Sequence, residues 1–269
     1  MISALIVAEG VADVVVLTKV LRLALAMKQI RDKAALPEPA RRWFDSFKFP
    51  ASDDISRLAV PAPVFVASTA QPGVVAIRNA EGLTKISALL DGDFDTFGRN
   101  RIQPPPALAL VLDSDAAPLE KRFQEFAALV EALNYPRPGR LGEISEVGQR
   151  RAGIFSFPGQ GQAGTLEDLL LPLAERQFPT LKAHAKDFVD GWQGKPEATA
   201  PVHEELHKPA GTKKATVSAM AALLKPGKPL NASLEDHPWI PDPPAAVAEL
   251  KPLVEFLSAL LAGPTAESP

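Results

Sequence analysis

Three small acidic clusters carry the side chains that could do chemistry, and each lies just beyond an apolar run. Their members are Glu9 and Asp13, Asp113 and Asp115, and Glu167 and Asp168. The carboxyl ends of neighbouring parallel strands converge on one crevice, so we expect these carboxylates to lie close together. Like charges held close cannot all stay ionised without cations, and oxygen ligands suit hard divalent ions. The clusters therefore predict an Mg²⁺ or Mn²⁺ site suited to phosphate chemistry.

The spacing within each cluster fits the element expected to hold it. Asp13 follows Glu9 by about one helical turn, so both can face one site from a strand tip and the next helix. Asp113 and Asp115 are two residues apart, which places both carboxylates on one side of an extended chain. The third cluster would come from the first turn of a later helix and supply a second metal position.

Alternating strands and helices are predicted around these clusters. Apolar runs predict strands at 4–8, 64–67, 74–77, 107–112 and 153–157. Helical spacing predicts helices at 11–31, 83–90, 118–133, 165–176, 179–192, 212–224 and 244–262. The pattern favours an α/β fold with a mostly parallel sheet, helices on both faces and further helical elements at the carboxyl end.

The predicted organisation is one α/β core with a helical extension. The core covers residues 1–176, with a variable, Pro-rich insertion at 33–63. The extension covers 177–262 and packs on the core, and a disordered tail follows at 263–269. The chain has no Cys, which excludes disulfides, thiolate metal sites and cysteine nucleophiles. Without a basic leader or an apolar run long enough to span a bilayer, we expect a cytoplasmic protein with no membrane partner.

The charge balance allows a local nucleic-acid contact but no general basic coat. The net charge is −3, from 29 basic and 32 acidic residues. Bound divalent ions would cancel part of the acidic charge at the crevice. Arg150, Arg151 and Lys213 belong to short basic pairs and are the predicted contacts to nucleic acid, although such pairs commonly lie on a solvated surface.

The order of the acidic motifs resembles the Toprim domain of topoisomerases, primases and OLD-family nucleases. Glu-Gly-x-x-Asp stands at 9–13 after the first strand, and Asp-x-Asp stands at 113–115 after a central strand. The third cluster, at 164–168, makes the chain similar to stand-alone bacterial Toprim proteins, whose relatives include OLD-type nucleases and anti-phage effectors. A Lys-Ala pair opens a later helix in that group, and 214–215 is the matching pair here. The resemblance extends over about residues 2–262.

The resemblance implies a Toprim (Rossmann-like) fold and metal-dependent hydrolysis of nucleic-acid phosphodiesters, in phage defence or nucleic-acid processing. Two ions can activate a water and stabilise the leaving oxygen. Glu9 would be a metal ligand or general acid and base, and Lys214 would stabilise charge developing on the phosphate. The remaining implied ligands are Asp13, Asp113, Asp115, Glu167 and Asp168. OLD proteins also carry an ATPase half, so a partner protein such as an ATPase is a further expectation.

Two alternatives remain open from the sequence. The first is a non-catalytic Toprim module that binds nucleic acid or a partner protein, because a fold does not guarantee an activity. The second, more remote one is a zinc metallopeptidase, since His203 and His207 satisfy the pattern His-Glu-x-x-His. Pro201 and Pro209 confine any helix there to about two turns, which disfavours the peptidase.

Overall fold

Seven strands form one sheet with helices on both faces. The computed structural model describes residues 3–46, 63–68, 73–114, 119–159, 161–193, 195, 197 and 204–263. The strands are β1 (Ala4–Ala8), β2 (Met27–Ile30), β3 (Val64–Ser68), β4 (Val74–Asn79), β5 (Ala107–Asp113), β6 (Ile144–Val147) and β7 (Arg150–Phe157). The first five helices are α1 (Val11–Ala24), α2 (Ala40–Ser46), α3 (Ile86–Arg99), α4 (Leu119–Ala132) and α5 (Leu166–Gln177). The others are α6 (Pro179–Gln193), α7 (Glu204–His207), α8 (Gly211–Leu224), α9 (Leu230–Asp236) and α10 (Lys251–Leu261).

The strand order is β2-β3-β4-β1-β5-β7-β6. The four central strands, β4, β1, β5 and β7, are parallel to one another. β3 and β6 run antiparallel to their neighbours, which makes the sheet mixed but mostly parallel. These observations confirm the predicted α/β class with helices on both faces.

The helices that follow β1 and β5 leave the sheet on opposite faces. Leu17 of α1 and Leu169 of α5 belong to the core on one face. Leu90 of α3 and Phe123 of α4 belong to the core on the other face. Because β1 and β5 are neighbours, their diverging connections leave a crevice at their carboxyl ends. Ligands of open α/β sheets bind in such crevices, so this edge of the sheet is where the site should be.

Two short strands lie where the sequence predicted other structure. The predicted helix 11–31 is too long, because α1 ends at Ala24 and the chain turns through Ala26 at a φ of 50°. β2 follows at once, and its first residue, Met27, is buried against the core. β6 lies between the predicted helix 118–133 and the predicted strand 153–157, where no strand was predicted, and pairs with β7. Both strands are at the edges of the sheet, where short strands with mixed composition are common.

The segment predicted as a variable loop contributes to the core in its first part. Trp43 and Phe44 of α2 are buried, and the Trp43 indole Nε1 donates to the carbonyl oxygen of Gln103 at 3.1 Å. The loop prediction is therefore wrong for residues 40–46. Residues 47–62 and the tail from 264 lie outside the described residues.

The C-terminal helices pack on the same face of the sheet as α1 and α5. Trp239 and Phe256 are buried there, and the rings of Phe155 in β7 and Phe256 in α10 have centroids 5.3 Å apart. The region after residue 177 is thus continuous with the core through its apolar side chains. Within the part of the chain that the structure describes, no helix has both the length and the apolar character needed to cross a bilayer.

Candidate functional site

The crevice between β1 and β5 brings the first two predicted clusters together. Glu9 directly follows β1, and Asp113 is the last residue of β5. The Glu9 amide donates to the carbonyl of Val111 at 3.3 Å, which continues the parallel pairing to the strand tips. The amide of Asp113 donates to Oε2 of Glu9 at 3.3 Å. The Glu9 side chain at the end of β1 is therefore hydrogen-bonded to the backbone at the end of β5.

The start of α5 completes this arrangement. Oδ1 of Asp113 accepts a hydrogen bond from the amide of Leu166 at 2.8 Å. The hydroxyl of Thr165 donates to Oε2 of Glu167 at 2.7 Å, and this pair is buried. Because the first amides of a helix have no partner within it, a carboxylate from β5 can satisfy one of them. The same contact brings Glu167 to the strand ends.

Asp13 joins the site from the first turn of α1. Its Oδ2 accepts from the amide of Gly10 at 2.7 Å, as an acidic residue at the third helical position does when it caps a helix. Asp13 is nevertheless only 5% exposed, although aspartate is mostly exposed in proteins. Asp13 is thus both a helix cap and a buried acid. We call Glu9, Asp13, Asp113 and Glu167 the acidic cluster.

Burial and mutual repulsion raise the pKa values of two members of the acidic cluster. Burial, with repulsion from Glu9 and Glu167, raises the pKa of Asp13 from 3.8 to about 7, against the Gly10 hydrogen bond and Lys214, which lower it. Burial and repulsion from the other three carboxylates raise the pKa of Asp113 from 3.8 to about 8. These interactions place all four carboxylates and the Lys214 ammonium in one electrostatic site.

The raised pKa values predict that the metal-free protein loses stability as the pH rises. Asp13 and Asp113 hold protons in the folded state at pH values where the unfolded chain has released them. Their contribution is fully present below about pH 4 and is lost as the pH rises to about 8, by up to about 1.4 kcal/mol per pH unit for each carboxyl. Urea unfolding in EDTA at pH 5, 6.5 and 8 should show this decline, with a smaller slope in Asp113→Asn. A free energy of unfolding that increases with pH over this range would contradict the prediction.

The donor chemistry of the acidic cluster fits a hard divalent ion. Carboxylate oxygens are the ligands that Mg²⁺ and Mn²⁺ prefer, and a cation would remove the repulsion that raises the two pKa values. Each of the four carboxylates instead accepts a hydrogen bond from the protein. Among the described residues, no three acidic or histidine side chains are already grouped so that they could hold an ion. Asp115, a predicted ligand, lies outside the described residues. Binding would therefore require these side chains to exchange hydrogen bonds for the ion.

Lys214 lies where the resemblance implied a cation. It belongs to the first turn of α8 and is exposed, and its charge lowers the pKa of Asp13. Within the described residues it forms no ion pair.

Asp168 and its neighbour in space, Lys213, form a pair beside the acidic cluster. Oδ2 of Asp168 accepts from the amide of Thr165 at 3.0 Å and caps α5. Its Oδ1 is 2.6 Å from Nζ of Lys213. Both carboxylate oxygens of Asp168 thus have partners in the protein. Asp168, a predicted metal ligand, and Lys213, a predicted contact to nucleic acid, form an ion pair with each other.

The two predicted arginine contacts lie at the opposite end of β7 from the acidic cluster. The strand is eight residues long, so its two ends lie roughly 23 Å apart. Arg151 is buried, forms an ion pair with Glu146 at 2.8 Å and donates to the carbonyl of Ala259 at 3.0 Å. The guanidinium of Arg150 lies 5.3 Å from the centre of the Tyr135 ring. Their placement brings neither arginine to the crevice.

Ser114 is a site residue to which the sequence assigned no role. Its hydroxyl accepts from the amide of Gly164 at 2.6 Å and lies within 3.1 Å of the carbonyl oxygens of Phe157, Gln162 and Gly164. The buried hydroxyl therefore ties the tip of β5 to the loop that precedes α5. Only the folded structure could show this role, because a serine between two acids has no distinctive spacing.

The histidine motif is only partly described. His203 lies outside the described residues, and α7 begins at the next position and is four residues long. His207 ends this helix and is exposed. The described part of the motif thus offers a single helical turn at the surface rather than a stable helix with both histidines inside it.

Two cavities differ in their relation to the acidic cluster. The larger, about 1010 Å³, lies along β6, β7 and α10 and has no member of the cluster in its wall. The smaller, about 510 Å³, is bounded by the start of α5 and the turn between α7 and α8, and Lys214 lines it. Its wall contains no member of the cluster either, but Thr165 in that wall donates to Glu167 and Lys214 acts on Asp13, so the second cavity adjoins the crevice.

Comparison with known proteins gives a family and a fold, but no activity. No curated protein matches the chain. A crystal structure of a hypothetical protein from Pyrococcus horikoshii OT3 is similar, with a TM-score of 0.51, 15% identity, and 97% of this chain and 95% of that chain covered. At this identity the likeness shows a shared fold alone. The family model described as a protein of unknown function, DUF3226, matches residues 3–262, and the chain belongs to that family.

Proposed function

We propose that the protein hydrolyses phosphodiester bonds of nucleic acid with Mg²⁺ or Mn²⁺ at the acidic cluster. One observation carries the proposal: four carboxylates, from the ends of β1 and β5 and from the first turns of α1 and α5, converge on the β1–β5 crevice, with the Lys214 ammonium beside them. Keeping so many acids close together opposes folding, as the raised pKa values of Asp13 and Asp113 indicate. Strain of this kind is common at functional sites.

The residues divide into a cation-binding group and a phosphate-facing group. Glu9, Asp13, Asp113 and Glu167 would hold the cations, with Asp115 as a further ligand. When bound, the ions would supply activation of water and neutralisation of phosphate charge. Glu9 would also move a proton during hydrolysis, and Lys214 would face the phosphate and stabilise its developing negative charge. This assignment corresponds to the Toprim arrangement of OLD-type nucleases, which we include in the proposal.

The direct test is a cleavage assay with several nucleic acids. Purified protein would be incubated with plasmid, single-stranded DNA and tRNA in Mg²⁺, in Mn²⁺ and in EDTA. We expect products in at least one of the metal-containing reactions and none in EDTA. Equal cleavage in EDTA, or none with any substrate even when a partner ATPase from the same genome is added, would contradict the proposal.

A second candidate is a non-catalytic module that binds nucleic acid or a partner protein. One observation favours it: the four carboxylates of the acidic cluster accept hydrogen bonds from the protein, and the described residues contain no ready group of three ligands. Nucleic-acid binding that needs no metal and leads to no product would support this candidate. A role in phage defence would fit either function, and the cleavage assay separates the two.

A further inference from the structure

A lysine-lined cavity adjoins the acidic cluster. The cavity of about 510 Å³ lies between the start of α5 and the turn that joins α7 to α8. We call it the lysine cleft, and the side chains used below are those of Asp168, Glu205, Lys208, Lys213 and Lys214. Lys214 belongs to the cleft and also acts on Asp13 in the acidic cluster. An extended ligand could therefore occupy both places at once.

The charges of the lysine cleft suit an anion. Three lysines and two acids line it, so the lining carries a net charge of +1. Nζ of Lys213 lies 2.6 Å from Asp168, and Lys208 forms an ion pair with Glu205. Both lysine side chains are substantially exposed, at 41% and 60%. The pair of Lys208 and Glu205 is exposed on both sides and stabilises the protein little, so an incoming phosphate can replace Glu205. Asp168 is less exposed, at 24%, but the ammonium of Lys213 has three donors and can bind a phosphate as well as Asp168.

The first turn of α8 carries positive charge, which is unfavourable at the amino end of a helix. Cations are unfavourable at the positive end of a helix dipole, yet Lys213 and Lys214 both lie in the first turn of α8. That turn contains no acidic residue, and the N-cap residue, Ala210, offers no side-chain hydrogen bond. Local rules of this kind are broken chiefly where function requires it. An anion in the cleft would give both lysines a partner at this positive helix end, where the amides of Gly211 and Lys214 already donate to the carbonyls of Lys208 and Ala210.

We propose that the lysine cleft binds the sugar-phosphate backbone of a single nucleic-acid strand next to the phosphate that is cleaved. The proposal rests on the proposed function, because it takes the acidic cluster as the place of cleavage. The volume lies within the range of small-molecule sites, about 300–1,000 Å³, so a short stretch of one strand fits while a duplex remains outside. Backbone binding of this kind does not depend on base sequence.

The test measures binding without cleavage. Fluorescence anisotropy of a labelled short oligothymidylate would be followed in EDTA, at several salt concentrations, for the wild type and for the Lys208→Gln, Lys213→Gln double variant. We expect the double variant to bind at least about 10-fold more weakly, and the slope of log K against log salt to fall by about 1.4, for two lost contacts to a single strand. A labelled duplex should bind less tightly than the single strand.

The control variant Lys228→Gln removes one charge near the carboxyl end of α8, away from the lysine cleft. Lys228 is exposed and follows the carboxyl end of that helix, so Lys228→Gln should bind as the wild type does. Thermal unfolding of all variants verifies that they are folded. Equal affinity and equal salt slope in the double variant and the wild type would overturn the proposal.

The same experiment separates this inference from the proposed function. If the protein binds the oligonucleotide in EDTA through Lys208 and Lys213 but cleaves nothing with any metal, the proposed hydrolysis is wrong and the proposed strand binding in the lysine cleft stands. If the double variant cleaves nucleic acid with an unchanged KM, the proposed strand binding in the lysine cleft is wrong and the proposed hydrolysis stands.

Discussion

The substitution Asp113→Asn is expected to reduce metal-dependent cleavage of nucleic acid by at least about 100-fold while leaving the fold intact. Asp113 is the last residue of the central strand β5, and its charge is coupled to the three other carboxylates of the acidic cluster. Asparagine removes a charged oxygen ligand, so an ion that neutralises phosphate charge would be held less tightly. The amide oxygen of asparagine can still accept from Leu166, as Oδ1 of Asp113 does now.

The free energy of unfolding of Asp113→Asn shows whether a loss of activity comes from the missing carboxylate or from a damaged fold. Because the pKa of Asp113 is raised to about 8, its carboxyl is mostly neutral at pH 7, and asparagine closely resembles that form. Only the unfolded wild type gains free energy from ionising this carboxyl at pH 7, so we expect Asp113→Asn to be as stable as the wild type in EDTA near pH 4 and more stable than it at pH 7. Asp91→Asn, an exposed position on α3, is the matched control and should cleave normally. Activity in Asp113→Asn within a few-fold of the wild type would exclude this residue from the reaction.

The substitution Gly211→Ala is expected to destabilise the protein by about 3 kcal/mol or more and to displace the start of α8. A Cβ at this position would lie 2.2 Å from the carbonyl oxygen of Glu205 and 2.4 Å from that of Leu206. Both obstacles are backbone atoms of α7, so no side-chain rotation can relieve the overlap. The two helices would have to separate, and Lys213 and Lys214 would move with the first turn of α8. Urea unfolding measures the loss of stability, and the anisotropy assay measures the loss of nucleic-acid affinity.

The matched control for this glycine is Gly92→Ala on α3. No atom lies within 4 Å of a Cβ built at Gly92, which is in the interior of a helix. Alanine should therefore stabilise the protein by about 0.5–1 kcal/mol, through its better helix propensity. Opposite signs for the two substitutions are the expected result. A Gly211→Ala protein as stable as the wild type would mean that α7 and α8 are not held together as described.

The sequence predicted the central strands and the acidic crevice because both depend on local pattern. β1 and β5 are continuous apolar runs of buried residues; Glu9 directly follows β1, and Asp113 ends β5. Parallel strands with helices between them bring their carboxyl ends to one edge, so Glu9 and Asp113 could be placed together without a structure. Glu167 could be assigned to the same site because it lies in the first turn of a later helix, α5.

The features that the sequence missed depend on contacts between distant residues. β2 continues the helical pattern of α1, and only the turn at Ala26 and the pairing with β3 make it a strand. Arg151 looked like a surface cation, yet it binds the carbonyl of Ala259 at the end of α10, 108 residues away. The pair of Asp168 and Lys213 joins α5 to α8, so neither partner could be identified from its own surroundings.

Titration calorimetry of Mn²⁺ into the metal-free protein tests most directly whether the acidic cluster is a metal centre. The wild type and the Asp91→Asn control should bind one or two ions per chain with equal affinity, and Asp113→Asn should bind them at least about 10-fold more weakly. Failure of the wild type to bind Mn²⁺, or the same affinity in Asp113→Asn, would contradict a metal-dependent function for this crevice.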